Sequence, residues 1–192
     1  GILRDKSFSK MTLDDYKIVM DVHIDGSVNV AKYCWEIMKK QNYGRILMTT
    51  SGSGLFGNFG QTNYSTAKMA MVGFMNTVQL EGKKYNVRTN CLAPAALTRM
   101  TENLLPGEIA ESLPPELVTA GALYMVTEDA PNGVILQAQG GSFGVAAMMQ
   151  NEKINLGDKA TVDDVADHWA EISDMSNAFQ RKPGDGLVLN KP

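Results

Sequence analysis

Histidine and cysteine are scarce in this sequence: only His23 and His168, and only Cys34 and Cys91. The two cysteines have no C-x-x-C partner, which argues against a disulfide scaffold or a zinc centre. They read as packed thiols of a reducing compartment, and no metal site is expected. Positive charge is not in excess. Eighteen Lys and Arg against twenty-one Asp and Glu leave a net charge of −3, so the electrostatic footprint of a nucleic-acid binder is missing. No stretch reaches the ~18 consecutive apolar residues of a membrane span. The opening Gly1-Ile2-Leu3-Arg4-Asp5 carries neither an initiator Met nor a signal-peptide pattern and reads as the middle of a domain. Asn190-Lys191-Pro192 is not a peroxisomal address.

What remains is an ordinary globular composition, 44% hydrophobic and 20% charged over 192 residues. The twelve methionines scatter through apolar stripes such as Met69, Met71 and Met75, where they fill core. Thr12-Leu13-Asp14-Asp15 has the form of a capping box and opens a helical pattern running to about Lys40, with Gly26 as a weak point. Arg45–Ser51 reads as a buried strand, followed by a glycine-rich loop (Gly52, Gly54, Gly57, Gly60) and a helix from Asn63 to about Lys84. Val87–Ala93 is a second strand stopped by Pro94. Residues 95–115 form a mixed loop with a short helix, Glu116–Val126 a helix and Val134–Gln139 a third strand. Strands alternating with helices, each strand almost wholly apolar, predict an α/β fold whose parallel sheet is covered on both faces. After Gly144 the character changes. Val162, Val165, Trp169 and Ile172 share one helical face, so residues 145–192 read as a linker and docking helix, with His168 on the surface.

The chemistry concentrates in one region. Tyr64 and Lys68 lie one helical turn apart, so an ammonium can favour the phenolate and fit Tyr64 for general acid–base work. Six tyrosines and thirteen lysines leave room for one such spacing by chance. Ser51, however, ends a strand thirteen residues earlier, where α/β sheets bind ligands, and its hydroxyl could hold a carbonyl oxygen. Pro94 and Thr98 follow the next strand at the same edge.

These residues resemble the short-chain dehydrogenase/reductase family over about residues 1–144. The matching motifs are Gly60-Gln61-Thr62-Asn63-Tyr64-Ser65-Thr66-Ala67-Lys68, Thr50-Ser51-Gly52-Ser53-Gly54 and Asn90-Cys91-Leu92-Ala93-Pro94 with Thr98. The resemblance implies a Rossmann-like doubly wound sheet with a C-terminal helical tail. It also implies that Tyr64 moves the hydroxyl proton, Ser51 orients the substrate oxygen, and Lys68 binds the nicotinamide ribose and lowers the Tyr64 pKa. Pro94, Ala95, Leu97 and Thr98 would hold the carboxamide. The family's helix Asn falls on His23. Either its backbone carbonyl holds a relay water or the imidazole is simply packed. Pro94-Ala95 stands where Pro-Gly is common in the family.

Gln41–Ile46, Phe56–Gln61, Arg99–Glu102 and the tail Thr161–Ala178 resemble more narrowly the (3R)-hydroxyacyl-CoA dehydrogenase region of peroxisomal multifunctional enzymes of type 2. That implies oxidation of (3R)-hydroxyacyl-CoA to 3-ketoacyl-CoA in β-oxidation, with NAD and with NADP as the alternative. It further implies a homodimer through the helices near 12–41 and 62–84, in peroxisomes of a eukaryote or the cytoplasm of a bacterium. A 3-ketoacyl-carrier-protein reductase, a hydroxysteroid dehydrogenase, and an inactive fragment or interaction piece are the competing readings. The phosphate-binding turn of such folds is not found. Gly52–Gly57 matches G-x-G-x-x-G formally but follows the wrong strand, so the N-terminal strands, on the order of 60–90 residues, are expected to be missing.

Overall fold

A computed structural model describes residues 1–102, 107–181 and 184. Residues 103–106 and the rest of the Lys-, Gly- and Pro-rich end lie outside the described residues. The chain divides into two compact units, Gly1–Ala146 and Ala147–Pro192.

In the first unit, Thr12 caps α1 (Leu13–Met20). Its hydroxyl accepts the Asp15 N–H at 3.1 Å, and the Asp15 carboxylate accepts the Thr12 N–H at 3.3 Å. Lys6 pairs with that carboxylate at 2.7 Å, and this bond does most to hold it at about 2. The helix does not break at Gly26. It passes through one π-helical turn, Asp21–Asp25, into α2 (Gly26–Lys40), and the Gly26 N–H reaches back five residues to the Asp21 carbonyl.

Strand β1 (Gly44–Thr49) stops before Ser51. The Thr50 N–H still reaches the Leu92 carbonyl at 2.8 Å, and Ser51 caps a short helix, α3 (Gly52–Phe56), where a loop was expected. The long helix α4 is Thr62–Gly82. Strand β2 (Val87–Ala95) runs through Pro94 instead of ending at it. Leu92 bonds toward β1 and Cys91 toward the β3 side, so the position of Pro94 turns its missing N–H toward β1, which has already ended.

Short α5 (Gly107–Glu111) and α6 (Glu116–Tyr124) lead to β3 (Ile135–Gln139). Strand β4 (Ser142–Ala146), which the sequence pattern did not suggest, returns antiparallel to β3. Its turn is Gly140-Gly141, both at positive φ (52° and 79°), the geometry that two-residue hairpins favour. Pairing with β3 joins β4 to the first unit, which runs to Ala146.

The sheet order is β1-β2-β3-β4, with the first three strands parallel. On one face, Ile46 and Met48 of β1 and Val87 and Cys91 of β2 pack with Met71, Val72 and Met75 of α4. On the other, Leu92 and Ala138 pack with Val118 of α6 and the partly buried Leu47. Neighbours along the parallel strands thus enter opposite cores, as Met48 and Leu47 do in β1 and Cys91 and Leu92 in β2, which is why apolar residues there do not alternate with polar ones.

In the second unit, Thr161 caps α7 (Val162–Asp167) through a capping box with Asp164. The expected continuous tail helix breaks at His168, whose Nδ1 lies 2.8 Å from the Asp164 carbonyl, and α8 is Trp169–Ile172. Asn151 ties this unit together by donating to the Ile172 and Asp174 carbonyls at 2.7 and 2.9 Å.

Candidate active site

Ser51, Tyr64 and Lys68 converge beyond the carboxyl end of β1. Helix α4 brings Tyr64 and Lys68 onto one face, and α3 holds Ser51 opposite them. Gly54 permits this approach, since a Cβ there would lie 2.8 Å from Lys68 Cβ and 2.9 Å from Met69 N. The Ser51 hydroxyl lies near enough to the Tyr64 phenol to draw its pKa downward. Lys68 is buried. Its ammonium donates to the Thr49 carbonyl at 2.9 Å and stands 5.6 Å from the centre of the Tyr64 ring. The fully buried Thr50 donates its hydroxyl to the Lys68 carbonyl at 2.7 Å, so Lys68 is held at both its ends by the two residues before Ser51.

The electrostatics differ from expectation in one respect. Burial pushes the Tyr64 phenol above its ordinary range, the neighbouring Ser51 hydroxyl pulls the other way, and Asp5 adds to the rise. The Lys68 ammonium is directed to the Thr49 carbonyl and to the ring, and makes no hydrogen bond to the phenol among the described residues. Burial brings Lys68 itself down to about 8, opposed by nearby Cys91, whose thiol is pushed up to about 12 by burial in turn.

His23 lies in the π-helical turn with its ring edge-on to Tyr64, centroids 5.2 Å apart. Its Nε2 is 2.9 Å from the Ile2 carbonyl and 3.2 Å from the Ile2 N–H, and the tautomer decides which it serves. Burial lowers its pKa, the Ile2 bond opposes this, and Lys68 adds to the fall. Its backbone carbonyl accepts the Ser27 hydroxyl at 2.7 Å. The imidazole is thus packed, and packed against Tyr64.

On the next strand, Pro94 and Ala95 are half-buried in β2, the Leu97 N–H donates to the Leu113 carbonyl at 2.7 Å, and Thr98 is exposed. Thr98 is held in a tight turn, its N–H on Thr101 Oγ1 at 2.8 Å.

The family model of short chain dehydrogenase matches residues 1–108. The chain belongs to the short-chain dehydrogenase family. A Mycobacterium tuberculosis protein described as a short-chain type dehydrogenase/reductase is 46% identical over 93% of this chain and 63% of its own length. Peroxisomal multifunctional enzyme type 2 of Mus musculus is 42% identical over 93% of this chain and 25% of its own. The solved structure of full-length peroxisomal multifunctional enzyme type 2 from Drosophila melanogaster superposes with a TM-score of 0.86 and 37% identity, over 95% of this chain and 34% of that one. This short-chain dehydrogenase chain therefore spans less than two thirds of these relatives.

Two residues of the site escaped the sequence reading. One is Thr50. The other is Asn63, fully buried, whose amide donates to the Arg4 and Asp15 carbonyls (3.0 and 3.2 Å) while its Oδ1 accepts the Tyr64 N–H at 2.8 Å. Asn63 lies inside the quoted motif, but only the fold reveals which carbonyls it meets.

Proposed function

We propose that this chain carries the catalytic residues of an NAD-linked dehydrogenase that oxidises (3R)-hydroxyacyl-CoA to 3-ketoacyl-CoA. The observation that carries the reading is the buried Lys68 ammonium 5.6 Å from the Tyr64 ring, with the Ser51 hydroxyl beside the phenol of that ring. The donor set suits a nicotinamide ribose, because Lys68 gives one of its three N–H groups to Thr49 and leaves the others to offer. When bound, the oxidised nicotinamide supplies the hydride acceptor. Ser51 holds the C3 oxygen of the substrate. Tyr64 takes the proton from that oxygen as hydride leaves C3, and returns it in the reverse direction. Burial keeps Tyr64 in its acid form, the one that protonates an alkoxide. Oxidation calls on the positive charge of Lys68 to support the phenolate. Thr98 and its turn are assigned to holding the carboxamide, on the family resemblance. The names of the peroxisomal relatives support that compartment in a eukaryotic source, with the cytoplasm the counterpart in a bacterial one.

The test is turnover of (3R)- and (3S)-hydroxyacyl-CoA with NAD by the protein expressed from its complete coding sequence. Oxidation of the 3R form is expected; oxidation of the 3S form alone would overturn the reading. Tyr64→Phe is expected to lower kcat by about 10²-fold or more while cofactor binding is kept. Retained activity would remove Tyr64 from the mechanism.

A further inference from the structure

We infer that Arg4 and Arg99 form a subsite for a phosphate-bearing group at the mouth of the Tyr64–Lys68 centre. The inference rests on the function proposed above. A cavity of about 600 Å³ is bordered by Gly1, Ile2, Leu3 and Arg4 on one side and Thr98, Arg99 and Met100 on the other. That is the size of a small-molecule site. It adjoins the candidate catalytic residues. A Cβ on Gly1 would lie 2.8 Å from the His23 ring and 3.1 Å from Met100 Cε, and the His23 ring also packs edge-on with Tyr64.

The charge in this cavity runs against that of the molecule. The chain carries a net −3, yet the cavity lining holds two guanidinium groups and no carboxylate. Neither arginine has an ion-pair partner among the described residues. Asp5, the acid next to Arg4 in sequence, accepts instead from Gln61 Nε2 at 2.7 Å. Arg4 commits Nη1 to its own Leu3 carbonyl and keeps the other donors of its fork.

Both side chains are exposed, but the backbones that carry them are held. The Arg4 carbonyl is fixed by Asn63, and Ile2 by His23. Arg99 sits inside the Thr98–Thr101 turn, where the Met100 N–H bonds Thr98 Oγ1 at 3.2 Å. Two planar forks without an ion-pair partner among the described residues, on fixed supports, match the oxygens of a phosphate, which such forks can grip in bidentate fashion. That chemistry has two sources here, the diphosphate of a dinucleotide cofactor and the phosphorylated end of a coenzyme A thioester.

Binding distinguishes them without any turnover. Calorimetric titration of the protein from its complete coding sequence would use ADP-ribose for the cofactor and adenosine 3′,5′-bisphosphate for the carrier. In Arg4→Gln, Arg99→Gln and the double variant, at least one probe is expected to lose roughly tenfold in affinity, with the wild-type affinity falling as salt rises. The probe that weakens names the source, and weakening of both assigns a shared site. Arg99→Lys keeps the charge without the fork and is expected to fall between, while unchanged melting temperatures show that the variants fold. Equal affinities of wild type and double variant for both probes, or no binding of either by wild type at millimolar concentration, would overturn the subsite. Failure to oxidise (3R)-hydroxyacyl-CoA would instead overturn the proposed reaction and leave these titrations to stand by themselves.

Discussion

Burying an ammonium costs free energy, and Lys68 shows what this site does with that cost. The Thr49 carbonyl satisfies one of its N–H groups, the Tyr64 ring face lies beside it, and burial still brings its pKa to about 8. An unfolded lysine titrates near 10.4. Between the two values the unfolded chain holds a proton that the folded one has shed, so this residue makes stability rise with pH from about 8 upward. The difference is worth on the order of 3 kcal/mol. Cys91 and Tyr64 oppose it, since burial keeps their acid forms and they lose stability above their ordinary values. The slope must therefore be read as a difference. Urea midpoints of wild type are expected to gain on those of Lys68→Met between pH 7.5 and 9.5, and parallel curves would show that Lys68 titrates normally. Ser51, Tyr64 and Lys68 were legible because their spacing is local. Thr50 and Asn63 were not, because each acts on a backbone carbonyl far along the chain, 18 residues away for Thr50 and 59 and 48 for Asn63.

At the scale of elements, the glycines of Gly52–Gly57 misled for a physical reason. Glycine disfavours helix as an isolated residue, yet α3 forms because Ser51 caps it and α4 leaves room for it only without a side chain. The two glycines inside α3 separate these causes. A Cβ on Gly54 meets the backbone of α4, whereas on Gly52 it meets nothing within 4 Å. Gly54→Ala is expected to cost about 1–3 kcal/mol, as overpacking does, and to lower kcat by displacing Ser51. Gly52→Ala should leave stability unchanged or slightly raised. Urea midpoints and turnover of the two variants check this, and equal behaviour would mean that α3 is not seated on α4. The other differences have their own causes. Pro94 stays in β2 because its neighbour strand has ended, and β4 is not legible from Gly140-Gly141 alone, since its strand is short and mostly exposed.

At the scale of the whole molecule, the strand–helix alternation was enough to read a parallel sheet with two covered faces, because each strand feeds two cores. It could not reveal how helices α2 and α4 meet outside the sheet. Between them runs a groove lined by Val28, Trp35, Phe74 and Val78, with Lys32 and Glu81 also along it. Trp35, Phe74 and Val78 are only half-buried there. The family resemblance implies that these helices pair two copies. A twofold axis would then set the groove against itself and bring each Lys32 to its partner's Glu81. The protein is expected to scatter light as a dimer. Lys32→Glu and Glu81→Lys, each alone, would face like charges twice across that axis and weaken the dimer by roughly tenfold or more. Mixing the two variants forms a heterodimer in which both contacts again join opposite charges, so the dimer should return on mixing. A residue needed only for folding would not be rescued in this way, because each variant keeps its own substitution. A monomeric wild type, or variants that dimerise as well alone as when mixed, would rule out this pairing of α2 and α4.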